Sequence, residues 1–307
     1  MSALLEAVDL ARYYGPVVGL NDLTLTLEPG VVGLLGPNGA GKSTFLKLVA
    51  GEIRPSRGRV TVLGHVPFAN RAYFREVGFS PQQDALYGDL TGREFVVFLL
   101  QLSGFGRAEA ETRARRALER VGLGAALDRR TNGYSKGMRQ RVRLAQAIAH
   151  DPRFLIVDEP MTGLDPLARR EMQELFRSLA REGVSILVSS HILHEVEELT
   201  QQVVLLHRGR LLAQGSVPEI RRLLSRHPRK VEIVARDARS LARALLELEH
   251  VLAVRLRADG SAVELETRDL ERLWDELPSV AARVRAGIRA LESTDASLEA
   301  VFDYLVA

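Results

Sequence analysis

A glycine-rich segment at residues 36–44, GPNGAGKST, carries the clearest chemistry in the sequence. It fits the pattern G-x-x-x-x-G-K-[ST], in which glycines let backbone N–H groups converge on phosphate oxygens. Lys42 would place a positive charge at the β- and γ-phosphates, and the Ser43 hydroxyl would ligate Mg²⁺. The glycines of the pattern are Gly36, Gly39 and Gly41. The segment therefore predicts a phosphate-binding loop in front of a helix whose N-terminus faces the anion.

Two adjacent carboxylates follow an apolar run in FLIVDEP, residues 154–160. Asp158, at the end of a buried strand, is expected to hold Mg²⁺ as the second metal partner of such a loop. Glu159 is expected to polarise the attacking water as a general base. Taken alone, the run could also be a strand that ends in a polar turn before Pro160. The phosphate loop upstream favours the metal and base roles.

A histidine closes a third apolar run, VSILVSSH at residues 184–191. A lone histidine is commonly structural, and His194 nearby offers a competing imidazole. Position favours His191, which would stand at a strand end beside the phosphate site as a donor to the γ-phosphate. In open α/β sheets ligands bind at the carboxyl ends of the strands, so all three strand ends become candidates for one site.

The elements that must position these residues follow from the same apolar runs. Runs of Val, Ile and Leu without alternation predict strands that are buried on both faces, as in a parallel sheet covered by helices. Between the first two runs, residues 84–150 have a helical composition. Met138, Val142, Ala145 and Ala149 form a helical stripe there, and the segment HDP that follows is expected to end the helix.

The pattern changes after about residue 225. RKVEIVA alternates, DARSLARALLELEH is helical, and VLAVRLRADGSAVELET reads as a hairpin that turns at Asp259-Gly260. Val263 and Leu265 would face one side of the hairpin and the neighbouring glutamates the other. Two helical pieces, a short strand near GIRALES and a last helix in ASLEAVFDYLV complete an expected small α+β domain of ferredoxin-like type.

Composition excludes several kinds of site. The chain contains no cysteine, which excludes disulfides, thiolate zinc sites and thiol catalysis. The formal net charge is only +3, and the arginine clusters are interleaved with acids and lack aromatic neighbours. Solvated helix faces are therefore expected, and no nucleic-acid partner. These clustered arginines are Arg113, Arg115, Arg116, Arg139, Arg141 and Arg143.

No segment of the sequence is expected to enter a membrane. The longest apolar run, FVVFLL at residues 95–100, is far shorter than the about 20 residues that a span needs. The N-terminus lacks the basic start and apolar core of a secretory signal. We therefore expect a chain that is soluble by itself and reaches a membrane only through a partner.

Six motifs stand in order along the chain: GPNGAGKST, SPQQD, YSKGMRQR, FLIVDEP, TGLDP and VSSH. In this order and at these separations they resemble the ATPase subunit of an ATP-binding cassette (ABC) transporter, over about the first 220 residues. The resemblance implies an α/β P-loop NTPase core at residues 1–225, with an inserted helical subdomain at about 84–150. Residues 226–307 would then form the small C-terminal α+β accessory domain.

By this resemblance, two copies associate head to tail and enclose ATP. Each ATP, with Mg²⁺, lies between the phosphate loop of one copy and the signature segment, residues 134–138, of the other. Ser135 and Gly137 would contact the γ-phosphate across that interface, helped by the N-terminus of the helix that follows. The residues of the loop that would bind ATP are Gly36, Pro37, Asn38, Gly39, Ala40, Gly41, Lys42, Ser43 and Thr44.

The resemblance also assigns residues outside the loop. Gln82 in SPQQD would reach the metal and the attacking water, with Gln83 as the alternative, and Asp165 matches the interface aspartate. Tyr14 matches the aromatic that stacks on adenine, with Tyr13 as its competitor. The simpler interpretations are that each glutamine is an ordinary loop amide and that each tyrosine is a core aromatic. The expected catalytic residues are Glu159, His191 and Gln82. The expected Mg²⁺ residues are Ser43, Gln82 and Asp158.

The signature segment departs from the family's usual Leu-Ser-Gly-Gly-Gln. Ser135 and Gly137 are kept, while Lys136 replaces the first glycine and Met138 the glutamine. The added charge of Lys136 would lie near the opposing phosphate. This form of the segment, with the closing SLEAVFDYLVA, resembles the type-two export branch of drug, lipid, polysaccharide and sodium exporters.

The implied function is that of a homodimeric ATPase on the cytoplasmic side of the cell membrane, bound to integral membrane permease subunits. The apolar helix GREFVVFLLQL lies in the section that would receive the permease's coupling helix. A soluble ABC ATPase is the alternative function, and a regulatory subunit that binds ATP without hydrolysis is a third. The single phosphate loop disfavours a soluble ABC ATPase, and the intact set of catalytic residues disfavours a regulatory subunit without hydrolysis. The accessory domain is expected to serve packing and dimerisation.

Overall fold

The chain divides into two compact units, Met1–Val217 and Pro218–Ala307. The computed structural model describes residues 3–83, 86–220 and 229–293. The expected domain boundary between residues 225 and 226 and the expected last helix at 296–306 both lie outside the described residues. Within the described ranges, no helix combines the length and the apolar character that crossing a bilayer requires.

The first unit combines two sheets with a helical section. Its strands are β1 (Leu5–Tyr14), β2 (Val17–Leu27), β3 (Val31–Leu35), β4 (Arg57–Val62), β5 (Val77–Ser80), β6 (Phe154–Val157), β7 (Ser185–Ser190), β8 (Gln202–His207) and β9 (Arg210–Ser216). Its helices are α1 (Lys42–Val49), α2 (Arg71–Glu76), α3 (Gly92–Leu102), α4 (Arg107–Arg120), α5 (Lys136–Ile148), α6 (Pro166–Arg181) and α7 (Leu193–Glu197).

The larger sheet has the strand order β5-β6-β7-β3-β8-β9. Its neighbouring strands are parallel except for the antiparallel pair β8 and β9. The three strands that the apolar runs predict are β3, β6 and β7, and nearly every residue in them is buried. Since β7 lies between β3 and β6, the carboxyl ends of these three strands meet at one edge of the sheet.

The smaller sheet, in the order β2-β1-β4, is antiparallel, and the sequence patterns did not indicate it. The pairing of β1 with β2 shifts register after Ala7 and after Leu10. Such bulges interrupt the regular alternation by which a half-buried strand is recognised. Leu10 and Leu20 of this sheet belong to one buried cluster with Phe45 of α1, so the sheet packs over the helix that follows the phosphate loop.

Helices α3, α4 and α5 form the helical section that the composition predicts. Thr91 and Glu94 make a capping box at the start of α3. In α5 the predicted stripe is buried at Val142 and Ala145, and the helix ends at Ile148, just before the HDP segment.

The second unit has the elements β10 (Arg229–Ala235), α8 (Ala238–Leu245), β11 (Val251–Leu256), β12 (Ala262–Thr267), α9 (Leu270–Arg283) and β13 (Ile288–Ser293). Its strands form an antiparallel sheet in the order β11-β12-β10-β13. The element order β-α-β-β-α-β is that of the ferredoxin-like arrangement. The hairpin turns at Gly260, whose φ is +69°, and Val263 and Leu265 are buried as the alternation predicts.

One expectation for this unit is wrong, because the two helical pieces are a single helix. Helix α9 continues through Pro278, which has no N–H to donate to the carbonyl four residues earlier. Leu273, Leu277 and Val280 share one buried face of the helix. Packing of that face offsets the missing hydrogen bond.

Candidate functional site

The phosphate-loop segment connects β3 to α1, and close packing explains its glycines. A Cβ on Gly36 would lie 2.5 Å from the carbonyl oxygen of Leu206, and Gly41 has a left-handed φ of +102°. Lys42 is buried, and its Nζ donates to the carbonyl of Gly36 at 2.6 Å and to that of Pro37 at 3.3 Å. Because Gly41 caps α1 without a side chain, the first N–H groups of the helix are available to an anion.

Glu159 stands at the centre of a group of charged side chains at the end of β6. Its Oε1 lies 3.3 Å from Lys42 Nζ, and its Oε2 lies 2.9 Å from His191 Nδ1. Thr162 Oγ1 donates to the same Oε2 at 3.1 Å. The φ of Glu159 is +49°, a left-handed conformation that costs free energy in a residue other than glycine. The structure thus joins side chains that follow all three of the predicted strands.

Asp158 is buried beside Glu159 and is held by a serine of the neighbouring strand. Ser189 Oγ donates to Asp158 Oδ1 at 2.6 Å and accepts from Glu159 N at 2.8 Å. Ser43 is exposed at the second residue of α1. A carboxylate and a hydroxyl are oxygen ligands of the kind that Mg²⁺ takes, so these donors fit the expected ion. We call the following residues the phosphate-site cluster: Lys42, Asp158, Glu159 and His191.

The competing histidine does not join this cluster. His194 lies in α7, is exposed, and pairs with Glu198 through Nε2 and Oε1 at 3.2 Å. The side chain of His191 is 41 % exposed, whereas that of Glu159 is 6 % exposed. His191 therefore forms the outer edge of the cluster and is the most exposed of its four residues.

The loop after β5 carries both candidate glutamines. Asp158 N donates to the carbonyl of Ser80 at 2.9 Å, so the loop begins beside the cluster. The side chains of Gln82 and Gln83 are exposed. Among the described residues, no hydrogen bond joins either side chain to Asp158 or Glu159. Both glutamines therefore lie in a loop that begins beside the cluster, and the choice between them stays open.

The signature segment lies at the start of α5. Ser135 is the N-cap of the helix, and its Oγ accepts from Met138 N at 3.3 Å. Tyr134 is buried and donates from its hydroxyl to the carbonyl of Ala126 at 2.5 Å. Burial raises the pKa of Tyr134, which keeps the phenol neutral. Of the hydrogen bonds described for this segment, none reaches the phosphate loop of the same chain.

Lys136, the departure from the usual motif, lies against a loop of its own chain. A Cβ on Gly163 would come within 2.4 Å of Lys136 Nζ, and Gly163 has a φ of +74°. A cavity of about 920 Å³ opens beside this contact, lined in part by Ser135, Gly137 and Asp165. The lysine thus contacts the TGLDP loop next to a concave surface that the signature segment borders.

Asp165 begins α6 as Ser135 begins α5. Its Oδ1 accepts from Ala168 N at 2.8 Å, and Pro166 occupies the first helical position. Both Ser135 and Asp165 therefore have a capping role inside the chain, whatever they contact outside it.

Tyr14 and Tyr13 have different surroundings at the end of β1. A Cβ on Gly19 would lie 2.8 Å from Tyr14 Cε2 and 3.1 Å from Thr44, so Tyr14 flanks the helix after the phosphate loop. Arg12 Cζ lies 4.9 Å from the centroid of the Tyr14 ring, a cation–π contact. The hydroxyl of Tyr13 donates instead to an asparagine of β2 at 3.3 Å. Position therefore favours Tyr14 over Tyr13 as the ring beside the loop.

Sequence reasoning missed two hydroxyl residues of the site, Thr162 and Ser189. Each contacts one of the paired carboxylates directly. Both belong to motifs of the sequence, Thr162 to TGLDP, three residues after Glu159, and Ser189 to VSSH, two residues before His191. Serine and threonine are common near strand ends, so only their contacts identify them.

The expectation of solvated arginines is wrong for Arg143. Only 8 % of its surface is exposed. Its Nη1 donates to the carbonyl of Pro81 at 2.9 Å and to the carbonyl of Gln82. The loop after β5 passes this face of α5, and its buried carbonyl groups require donors. Surface ion pairs hold Arg113, Arg116 and Arg141.

Known proteins resemble this chain in sequence and in fold. A family model described as ABC transporter matches residues 20–162. The daunorubicin/doxorubicin resistance ATP-binding protein DrrA of Streptomyces peucetius is 31 % identical over 97 % of this chain and 91 % of DrrA. A solved ATP-binding subunit of an ABC transporter is 35 % identical, with a TM-score of 0.64 over 72 % of this chain and 92 % of that one. A dimeric ATP-binding cassette, MJ0796, bound to ADP and Pi has the same fold at 22 % identity, with a TM-score of 0.64 over 69 % of this chain and 98 % of that one.

Other relatives are longer than the part they share with this chain. The chain spans 58 % of an ABC transporter ATP-binding protein from Synechocystis, 64 % of one from Bacillus subtilis and 62 % of one from Nostoc. Their identities are 40 % to 42 %, over 63 % to 66 % of this chain. Similarity over nearly the whole chain is therefore a feature of some relatives, such as DrrA, and not of all.

Proposed function

This chain belongs to the ATP-binding proteins of ABC transporters, and from that premise we propose that it hydrolyses ATP to drive a separate membrane protein. The observation that carries the proposal is the placement of Glu159. This buried carboxylate lies at the end of β6 and touches both Lys42 and His191. A base in that place can accept a proton from a water that attacks a phosphate held by the adjacent loop.

The proposed reaction is the hydrolysis of ATP to ADP and phosphate. The water oxygen forms a bond to the γ-phosphorus, the bond to the bridging oxygen of ADP breaks, and a proton of the water passes to Glu159. Lys42 Nζ lies 3.3 Å from Glu159 Oε1, and phosphate oxygens would compete for that ammonium. Bound ATP would thus draw Lys42 away and leave Glu159 free to act as the base. His191 would donate to a γ-phosphate oxygen, and Tyr14 would stack on the adenine.

We assign the Mg²⁺ that accompanies ATP to Ser43, Asp158 and Gln82. When bound there, the ion would neutralise charge on the β- and γ-phosphates. Ser189 donates to one oxygen of Asp158 at 2.6 Å, which orients this carboxylate at the strand end. The protein thus holds its acidic metal residue in place through its own strand β7.

Each ATP site would require two copies of the chain. Ser135 and Gly137 lie at the exposed N-terminal end of α5, and a second copy facing head to tail would bring them to the γ-phosphate. Asp165, the cap of α6, borders the same cavity and would lie at the same interface. The dimeric MJ0796 cassette bound to ADP and Pi supports this pairing.

A groove of the first unit, in which apolar side chains lie beside Arg71, Arg75 and Glu109, suits a membrane partner. A cavity of about 730 Å³ is lined by residues that include Phe74, Leu102 and Phe105. Leu102 is 70 % exposed and Phe74 is 45 % exposed, and contiguous exposed apolar surface marks interaction sites. His150 also lines the groove, and burial lowers the pKa of His150, which favours its neutral form. We propose that the coupling helix of a permease docks here.

The direction of transport is proposed as export, with the chain held at the cytoplasmic side of the cell membrane by its permease. The daunorubicin/doxorubicin resistance protein DrrA, a relative over nearly the whole chain, supports this direction. We further propose that the core comprises residues 1–225, and that residues 226–307 form an accessory domain for packing and dimerisation. The permease would select the substrate.

The substitution Glu159→Gln tests the catalytic part of the proposal. We expect purified protein to show Mg²⁺-dependent ATPase activity, which Glu159→Gln lowers by about a thousandfold because the general base is lost. The variant should still bind ATP and should accumulate as an ATP-bound dimer in size-exclusion chromatography. Glu174→Gln, an exposed glutamate of α6, is the matched control and should retain full activity. Unchanged turnover in Glu159→Gln would contradict the assignment.

Copurification tests the transport part. The chain should be recovered in a membrane complex when it is coexpressed with membrane proteins encoded beside it. Leu102→Glu would place a charge among the apolar side chains of the groove and should release the chain from that complex while its own ATPase activity persists. Recovery of the unaltered chain as a lone protein under all conditions would count against a transport role.

A further inference from the structure

Helix α5 carries a row of polar side chains on the face that it turns toward β5 and β6. Gln140, Arg143 and Gln146 are spaced three residues apart and therefore lie along one side of the helix. Only 5 % of Gln140 and 8 % of Arg143 is exposed. We call these three residues the α5 polar row. Buried polar groups need partners, so their contacts show what the row does.

The contacts of the α5 polar row change along the helix. Gln146 Nε2 donates to the carbonyl of Phe79, inside β5, at 2.7 Å. One turn earlier, Arg143 donates to the loop that contains Gln82. At the start of the helix, Gln140 Nε2 donates to the carbonyl of Pro160, directly after Glu159. The helix that begins with the signature segment therefore holds the backbone beside two of the proposed catalytic residues.

The two bonds of Arg143 constrain Gln82 in a specific way. The carbonyl of Pro81 belongs to the peptide plane before the Gln82 Cα, and the carbonyl of Gln82 belongs to the plane after it. Both bonds come from the same guanidinium nitrogen, Nη1. Because peptide groups are planar, holding both carbonyls restricts φ and ψ of Gln82 and the direction of its Cα–Cβ bond. The guanidinium is always charged and buried here, which makes these bonds strong and their loss costly.

We propose that Arg143 is a positioning residue that aims the Gln82 side chain at the metal and the attacking water. The proposal rests on the role proposed above for Gln82 and adds the residue that enforces it. Arg143 touches only backbone in these two contacts, so it acts through Gln82 and not on ATP itself. A displacement of about 1 Å in a catalytic group can cost about a hundredfold in rate, so the aim of this side chain matters.

The first test compares Arg143→Met with Gln146→Met in the full chain. Arg143→Met keeps the aliphatic stem and should lower kcat by about tenfold to a hundredfold, with KM for ATP within about twofold because the phosphate loop is untouched. Gln146→Met loses a bond from the same helix face to β5 and should retain kcat within about twofold. Arg143→Lys, which keeps a donor and a charge, should recover part of the loss. Equal losses in Arg143→Met and Gln146→Met would overturn the proposal.

The second test asks whether Arg143 acts through Gln82. If it does, Arg143→Met should cost little more in a Gln82→Ala chain, and the double variant should match Gln82→Ala. Effects that multiply, or a Gln82→Ala chain with full activity, would overturn the proposal. Glu159→Gln, measured in parallel, separates the outcomes, because full activity in that variant contradicts the proposed function itself.

The third test measures the mobility of the loop after β5 by hydrogen exchange, which does not depend on turnover. Hydrogen exchange of a peptide covering residues 77–83 should be faster in Arg143→Met than in Gln146→Met, with no nucleotide present. The Mg²⁺ concentration for half-maximal activity should rise in Arg143→Met only, since Gln82 is a proposed metal residue. Unchanged exchange and an unchanged Mg²⁺ requirement would show that Arg143 serves packing alone and would overturn the proposal.

Discussion

The phosphate-site cluster and the signature segment are held in opposite ways. Lys42, Asp158 and Glu159 are only 6 % to 7 % exposed, and the contacts of Asp158 with Ser189 and of Lys42 with Glu159 hold them within one chain. Ser135 and Lys136 are exposed, and their described contacts stay within the start of α5 and the neighbouring TGLDP loop. One region is assembled by folding alone, whereas the other presents groups that a second surface would complete.

The exposed region is nevertheless held firmly within its own chain. Ser135 and Asp165 are both helix N-caps, so folding holds them in place before any partner arrives. A cap leaves other N–H groups of the first helical turn unpaired, and these point toward incoming anions. The signature segment can therefore be rigid and still be incomplete.

Among substitutions that test this contrast, Ser135→Asp is expected to have the largest effect on ATPase activity. Aspartate caps helices as well as serine does, so the unfolding temperature should stay close to that of the unaltered chain. A carboxylate facing the opposing γ-phosphate should lower kcat by about a hundredfold, the scale seen when one stabilising donor is lost. Thermal unfolding and steady-state ATPase assays would measure the two effects separately.

The control for that prediction is Ser135→Ala. It removes the cap, so it should cost about 1 kcal/mol of stability and should reduce kcat less than Ser135→Asp does. Full activity in a stable Ser135→Asp chain would show that the segment never meets a phosphate, and the comparison would lose its basis.

A smaller effect is expected from Lys136→Ala. In the structure this side chain lies against Gly163 of its own chain. Its removal should therefore change kcat by no more than about threefold, as for an exposed charge that does not touch the reacting group. Arg170→Ala, an exposed cation on the neighbouring α6, serves as the control. A loss of tenfold or more for Lys136→Ala alone would move Lys136 into the group that contacts the opposing phosphate.

The sequence predicts the phosphate-site cluster more directly than it predicts the signature segment. The phosphate loop requires glycines at fixed positions for steric reasons, so its motif is local and visible in a single sequence. The strand ends with Asp158, Glu159 and His191 follow buried runs, which are also local. The proposed role of Ser135 rests only on the resemblance, because a serine before a helix is an ordinary cap.

The features that sequence reasoning missed depend on tertiary contacts. Arg143 belongs to an arginine-rich helix, and only the approach of the loop after β5 makes it a buried donor. Pro278 should interrupt a helix, but the packed face of α9 carries the helix through it. The sheet of β1, β2 and β4 was hidden by bulges in its alternation. Each of these depends on neighbours that are distant in the chain.

Cysteine cross-linking between two copies tests the central claim most directly. The chain has no cysteine of its own, so Asn38→Cys in the phosphate loop and Lys136→Cys in the signature segment can each be the only thiol of a variant. Both would be combined with Glu159→Gln to hold ATP. The account predicts a disulfide-linked dimer when the two variants are mixed, oxidised mildly and supplied with ATP, and little product without ATP. A mixture that gives no ATP-dependent cross-link would contradict the claim that the signature segment of one copy completes the phosphate site of another.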